Sequence, residues 1–182
     1  MYHRRSAVLG QRLTRLRLAA EQAGPLSVER VAELEGRTHH ELLAFLAHVE
    51  ERLGDEARFL HFGLTSSDVL DTVLAIQLRD ATQVVRRGLR EQLLPALRQQ
   101  AEAHRETLMM GRSHGIHAEP VTAGLLFLGA YAELARAEER LARAEQQVSV
   151  GKLSGAVGVY GSGGMSPMVE EVALHALGLT AE

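Results

Sequence analysis

A chain of 182 residues is long enough for one domain with a real core, or for part of a larger one. Hydrophobic residues make up 46% but aromatics only 4%, so core volume must come from Leu, Val and Ala, which favours packed helices over a sheet sandwich. A net charge of −3 gives no general affinity for nucleic acid, and the absence of cysteine excludes disulfides, Cys-ligated zinc and thiol nucleophiles while being compatible with a reducing cytosol.

In chain order, residues 7–23 read as a helix, with Val8, Leu9, Leu13, Leu16 and Ala20 at helical spacing. Met1 to Ser6 lead into no long apolar segment, so no signal peptide is expected. Gly24-Pro25 stops the first helix. Ser27 is placed to cap a second helix that ends at Gly36, and Thr38 to cap a third from His40 to about Leu53. Gly54-Asp55 breaks that helix, and a short helical turn should carry Phe59 and Leu60 up to His61.

The next stretch, His61-Phe62-Gly63-Leu64-Thr65-Ser66-Ser67-Asp68, organises the chain. A glycine turn is followed by three hydroxyls and a carboxylate, then by a long apolar helix. Thr65 or Ser66 suits its N-cap, and the free N–H groups there favour a bound anion. From Asp68 to about Arg90 the apolar band covers more than half the circumference, wider than an ordinary surface stripe, so more than one neighbouring helix is expected. Pro95 should kink or restart this helix, which resumes to about His104.

Met109-Met110-Gly111 leads into a turn spanning Arg112 to Pro120, and Pro120 suits the first position of a helix running to about Val148. Phe127, Leu134, Leu141 and Val148 recur every seven residues, with Ala130, Ala137 and Ala144 between them, as in a heptad seam of closely approaching helices. Glu139 and Arg143 form an i,i+4 pair on its wet side. The apolar run near Ala123–Ala132 is too short to span a bilayer. Gly151 to Gly164 is a glycine-rich loop whose Lys152 stands in the wrong order for a phosphate-binding P-loop. Ser166-Pro167 opens a last short helix, ended by Gly178.

Three clusters carry chemistry: Thr38-His39-His40-Glu41, His61 with Thr65 to Asp68, and Arg112-Ser113-His114-Gly115-Ile116-His117. Five of the nine histidines fall in them, and imidazole suits general acid or base work near neutrality. A metal centre is the competing reading, ranked lower because no pair has the spacing of a His-Glu-x-x-His helix. His3, His48, His104 and His175 read as surface or helix-face residues without a role.

Thr38-x-His40, the run from His61 to Thr72, Gly111-Arg-Ser-His114-Gly-Ile-His117-Ala-Glu119-Pro120 and Gly151-Lys-Leu-Ser-Gly-Ala-Val-Gly158 together resemble the adenylosuccinate lyases of the fumarase and aspartase superfamily. The resemblance runs from about Thr38 to Leu179. It implies an all-α fold: a small helical domain over 1–64, then the start of a long-helix bundle over 65–182. It implies β-elimination of fumarate from adenylosuccinate, giving AMP, and from the succinylated aminoimidazole carboxamide ribotide. His114 would be the general acid. Thr65 and Ser66 would hold a succinyl carboxylate, with His39, His40, Glu41 and His61 lining the substrate site. His39 and Glu41 depart from the Arg and Asp that the family carries there.

The family works without cofactor or metal, on a small nucleotide, in the cytoplasm, as a homotetramer whose sites draw on three chains. Its serine-base loop has no counterpart within these 182 residues, so the chain is expected to be the N-terminal part of such an enzyme and inactive alone. The alternative is a non-catalytic helical protein that keeps the oligomerisation surface.

Overall fold

The computed structural model describes residues 24–161 and 164–182, with residues 14, 17, 18 and 21 of the N-terminal segment. Those four are helical, and Arg17 Nε pairs with Glu21 at 3.0 Å. The remainder of the helix expected over 7–23, and His3, lie outside the described residues.

Two compact units are present. The first comprises the described residues up to Asp68 together with Leu153–Ser166; the second comprises Val69–Lys152 together with Pro167–Glu182.

In the first unit, α1 (Val28–Thr38) starts at Ser27, whose hydroxyl accepts the Arg30 N–H, as expected of a serine N-cap. Gly36 does not end α1. The helix continues to Thr38 and closes on His39, which adopts the left-handed conformation with φ 50° and donates its N–H to the Glu35 carbonyl. Thr38 therefore does not cap the next helix. Its hydroxyl instead donates to the His40 carbonyl at 3.1 Å and accepts the His40 N–H at 3.4 Å, tightening the turn. His40 occupies the N-cap position of α2 (Glu41–Leu53) without a capping side chain.

Leu34, Leu42 and Ala44 are buried between α1 and α2. His48, read from sequence as having no role, is buried as well. Its Nε2 accepts the Ser27 N–H at 3.1 Å, and its Nδ1 lies 3.3 Å from Glu51. Arg30 binds Glu51 and closes a ring of Ser27, His48, Glu51 and Arg30. A 3₁₀ turn, Gly54–Phe59, then leads to His61 as expected.

Helix α3 (Ser66–Gly88) begins after Thr65. Pro95 acts one turn earlier than its own position. It has no N–H for the Glu91 carbonyl, and its ring crowds that carbonyl, so the backbone widens into a π-helical segment, Leu89–Leu93, before continuing as α4 (Leu94–Ala103).

The segment expected as a turn is an antiparallel hairpin, β1 (Leu108–Ser113) and β2 (Ile116–Thr122). Pro120 belongs to β2 rather than to a helix, and α5 (Ala123–Val148) starts three residues later on a Thr122 cap. The heptad pattern misses the hairpin because it reads side-chain period, whereas strand pairing here is set by the turn and a register shift between Met110 and Arg112.

α5 packs on α4 at Gly124, where an added Cβ would lie 2.6 Å from the Ala101 carbonyl oxygen and 2.8 Å from Arg105 Cα. The Glu139–Arg143 pair is not made. Glu138 and Glu145 on the same helix bind Arg86 of α3. Arg86 is thereby held above its ordinary value, first by Glu145 and then by Glu138, and Glu145 below its own, first by Arg86 and then by Gln83.

Short strands β3 (Val150–Gly151) and β4 (Thr180–Ala181) pair in parallel across α6 (Pro167–Ala176). Leu174 and Leu179 are buried there. Arg79 donates to the Leu177 and Gly178 carbonyls at 2.8 and 3.1 Å, satisfying groups just past the end of α6.

Candidate active site

The start of α3 is built around Asp68, the third residue of the helix, which is 0% exposed. Its carboxylate accepts the Thr65 N–H at 2.9 Å, the reciprocal half of a capping box. The same carboxylate accepts the Gly155 N–H on both oxygens, at 3.1 and 3.2 Å. Asp68 thus ties the Thr-Ser-Ser turn to the glycine-rich loop within one unit. Tyr160 donates its N–H to the Ser154 carbonyl and closes that loop on itself. Sequence reasoning placed Asp68 in the motif but gave it no role. The signal was available: an acid three residues after a threonine N-cap is a capping-box pattern.

Around this turn stand the histidines of the first unit. His40 Nε2 is 3.3 Å from Ser66 Oγ. His40 Nδ1 and His61 Nε2 are buried nitrogens without a hydrogen-bond partner. Thr65 and Ser66 are half-buried, whereas His39 and Glu41 are exposed. Of the residues singled out from sequence in this unit, His40 and Ser66 are therefore in hydrogen-bonding contact. His39 closes the end of α1 through its backbone N–H.

His114 belongs to the second unit, at the tip of the hairpin. Register places Ser113 opposite Ile116, so His114 and Gly115 form a two-residue turn with φ of 49° and 77°. Both positive angles are what a type I′ turn demands, and they leave His114 and His117 exposed. Gly111 stands where the register shifts, and a Cβ there would collide with the Glu119 carbonyl. Second-unit Thr72 is buried and exchanges two 3.2 Å hydrogen bonds with the backbone of Lys152, fixing where the glycine-rich segment leaves β3.

Among the described residues no three of His, Asp and Glu converge as a metal-ligand set, and no helix is long and apolar enough to cross a membrane.

In the first unit a hydroxyl turn is held on a buried carboxylate with histidines at its flank; in the second, His114 stands at the tip of a hairpin. The family described as lyase matches residues 12–182, and the chain belongs to it. Within that family it is similar to adenylosuccinate lyases. It is 50% identical over 151 residues to the protein of that name from Synechocystis sp., covering 83% of this chain and 34% of the relative. It is 44% identical to the one from Aquifex aeolicus, covering 85% of this chain and 35% of the relative. For the one from Bacillus subtilis the identity is 41%, with the same two coverages.

The chain thus spans about a third of the length of these curated relatives. Among solved structures, fumarate lyase from Mesorhizobium sp. superposes with a TM-score of 0.82 at 28% identity, covering 98% of this chain and 43% of that one. The β-carboxy-cis,cis-muconate cycloisomerase of Acinetobacter calcoaceticus gives 0.81 at 28% identity, covering 94% and 41%.

Proposed function

We propose that this chain is the N-terminal part of an adenylosuccinate lyase, with residues 1–64 as its first domain and 65–182 as the start of its central helix bundle. The reaction is β-elimination: a base takes a proton next to a carboxylate, the carbanion's charge spreads into that carboxylate, and an acid protonates the leaving nitrogen. The substrates proposed are adenylosuccinate and the succinylated aminoimidazole carboxamide ribotide, each releasing fumarate.

His114 is assigned as the general acid. Thr65 and Ser66 are assigned to a succinyl carboxylate, and His39, His40, Glu41 and His61 to the surrounding substrate site. The observation that carries the reading is the identity of 40–50% to adenylosuccinate lyases over a stretch that contains all of these residues. The buried Asp68 supports it, because it holds the Thr65–Ser66 turn in place without using either hydroxyl. These residues include no serine-base loop, so the 182-residue chain alone is proposed to be inactive. Assembly is proposed to be homotetrameric and the location cytoplasmic.

The test follows fumarate release from adenylosuccinate by the protein encoded by the uninterrupted reading frame. His114→Ala should lower kcat by roughly 10²–10⁴-fold, the usual contribution of a positioned acid or base. Release that survives this substitution unchanged would remove His114 from the acid's role. A full-length protein with no release at all would leave the non-catalytic reading.

A further inference from the structure

Among the described residues, two buried nitrogens beside the proposed carboxylate-holding turn are without a partner, and one belongs to His40. His40 Nδ1 is buried and without a partner. Such an atom is destabilising unless a partner reaches it. The Glu41 carboxylate lies nearby, with Oε2 3.9 Å from His40 Nδ1. Its side chain is 63% exposed and engaged by no other hydrogen bond among the described residues, so a small torsional change brings it into contact.

We propose that Glu41 is a positioning residue: its carboxylate holds His40 in the tautomer protonated at Nδ1, which leaves Nε2 to accept the Ser66 hydroxyl. An ionised carboxylate is an acceptor only, so it selects an Nδ1–H and opposes a bare Nδ1 lone pair. A neutral imidazole protonated at Nδ1 has its lone pair at Nε2, and Ser66 Oγ is the hydroxyl at 3.3 Å. Glu41, His40 and Ser66 thus form one chain of donors and acceptors, with its direction set from the carboxylate.

The consequence divides two hydroxyls that the sequence treats alike. The Ser66 proton is committed to His40. Thr65, whose hydroxyl has no hydrogen bond among the described residues, is the one free to donate to an anion, alongside the backbone N–H groups of the first turn of α3. This division rests on the lyase reading given above; the tautomer does not.

The ¹⁵N-labelled chain, studied by long-range imidazole ¹H–¹⁵N correlation at about pH 8.5, where imidazoles are neutral, reports each tautomer directly. His40 is assigned by the signals lost in His40→Gln. The Nδ1–H form should predominate in the unmodified chain and persist in Glu41→Asp. Glu41→Lys, which puts a donor where the acceptor was, should reverse the ratio by about tenfold or more, the worth of one charged hydrogen bond. A His40 ring protonated at Nε2 in the unmodified chain, or a ratio unmoved by Glu41→Lys, overturns the proposal. Neither result depends on fumarate release, so a failure of the lyase reading is told apart from a failure of this one.

Discussion

A carboxylate that water does not reach has to be satisfied by the protein, and among the donors to Asp68 are the N–H groups of Thr65 and Gly155. Asp68→Asn keeps the shape but turns an NH₂ toward one of these donors. The expected loss is about 3 kcal/mol of unfolding free energy, read as a shift of the urea midpoint with an unchanged slope. A second carboxylate, Glu51, lies on the surface and works differently. Arg30, and after it His48, pull it down from 4.5 to about 2. A depressed carboxylate stabilises the fold above its unfolded value and loses that contribution as pH falls through the folded one. The ring of Ser27, His48, Glu51 and Arg30 should therefore be intact above about pH 4.5 and fail toward pH 2. Arg30→Gln should flatten the acid limb of a thermal-stability profile within that window. His48 was not legible as part of this ring, because a lone histidine on a helix carries no sequence signal of what faces it. The hydroxyl turn was legible, since its residue types are those a helix start requires.

At the scale of elements, the positions that decide most are small. Gly124 lets α5 touch the backbone of α4, and the atoms a methyl would meet are a carbonyl oxygen and a backbone Cα, neither of which can swing aside. Gly124→Ala should cost about 1–3 kcal/mol, the range for overpacking, with the loss seen in chemical denaturation rather than in helix content. Residue pattern predicted the long helices well. The band on α3, the alanine heptad on α5 and the short α6 are all helical as expected, although α5 starts at Ala123 and not at Pro120. The hairpin between α4 and α5 was not predicted, and Pro120 shows why. Proline before an apolar run reads as a helix start, but an edge strand tolerates it too, because an outward-facing position needs no N–H. Pro95 was expected to disturb its helix and does, through a π-segment on its N-terminal side rather than a break.

At the scale of the molecule, apolar side chains remain in water. Val73, Leu74, Val84 and Val85 on α3 are 43%, 53%, 67% and 53% exposed, and Leu125, Leu126 and Leu128 on α5 are 57%, 63% and 51% exposed. On α3 this was foretold by a stripe wider than one neighbour could cover; on α5 the exposed leucines lie off the heptad seam read from the sequence. Under the proposed tetramer these faces are helix–helix interfaces, and Leu126→Glu should lower the mass seen by sedimentation velocity while leaving the far-ultraviolet circular dichroism unchanged. An unaltered oligomer would place the interface elsewhere. What no residue pattern disclosed is which distant segments meet, and the bond between Asp68 and Gly155 is the clearest case. Its partners are 87 residues apart, so the carboxylate exists on the nascent chain long before its donor does. At about 5–20 residues per second, a ribosome adds the missing segment over an interval of the order of ten seconds. Through that interval the Asp68 carboxylate stays hydrated, and the buried arrangement at the start of α3 can close only once Gly155 has been made.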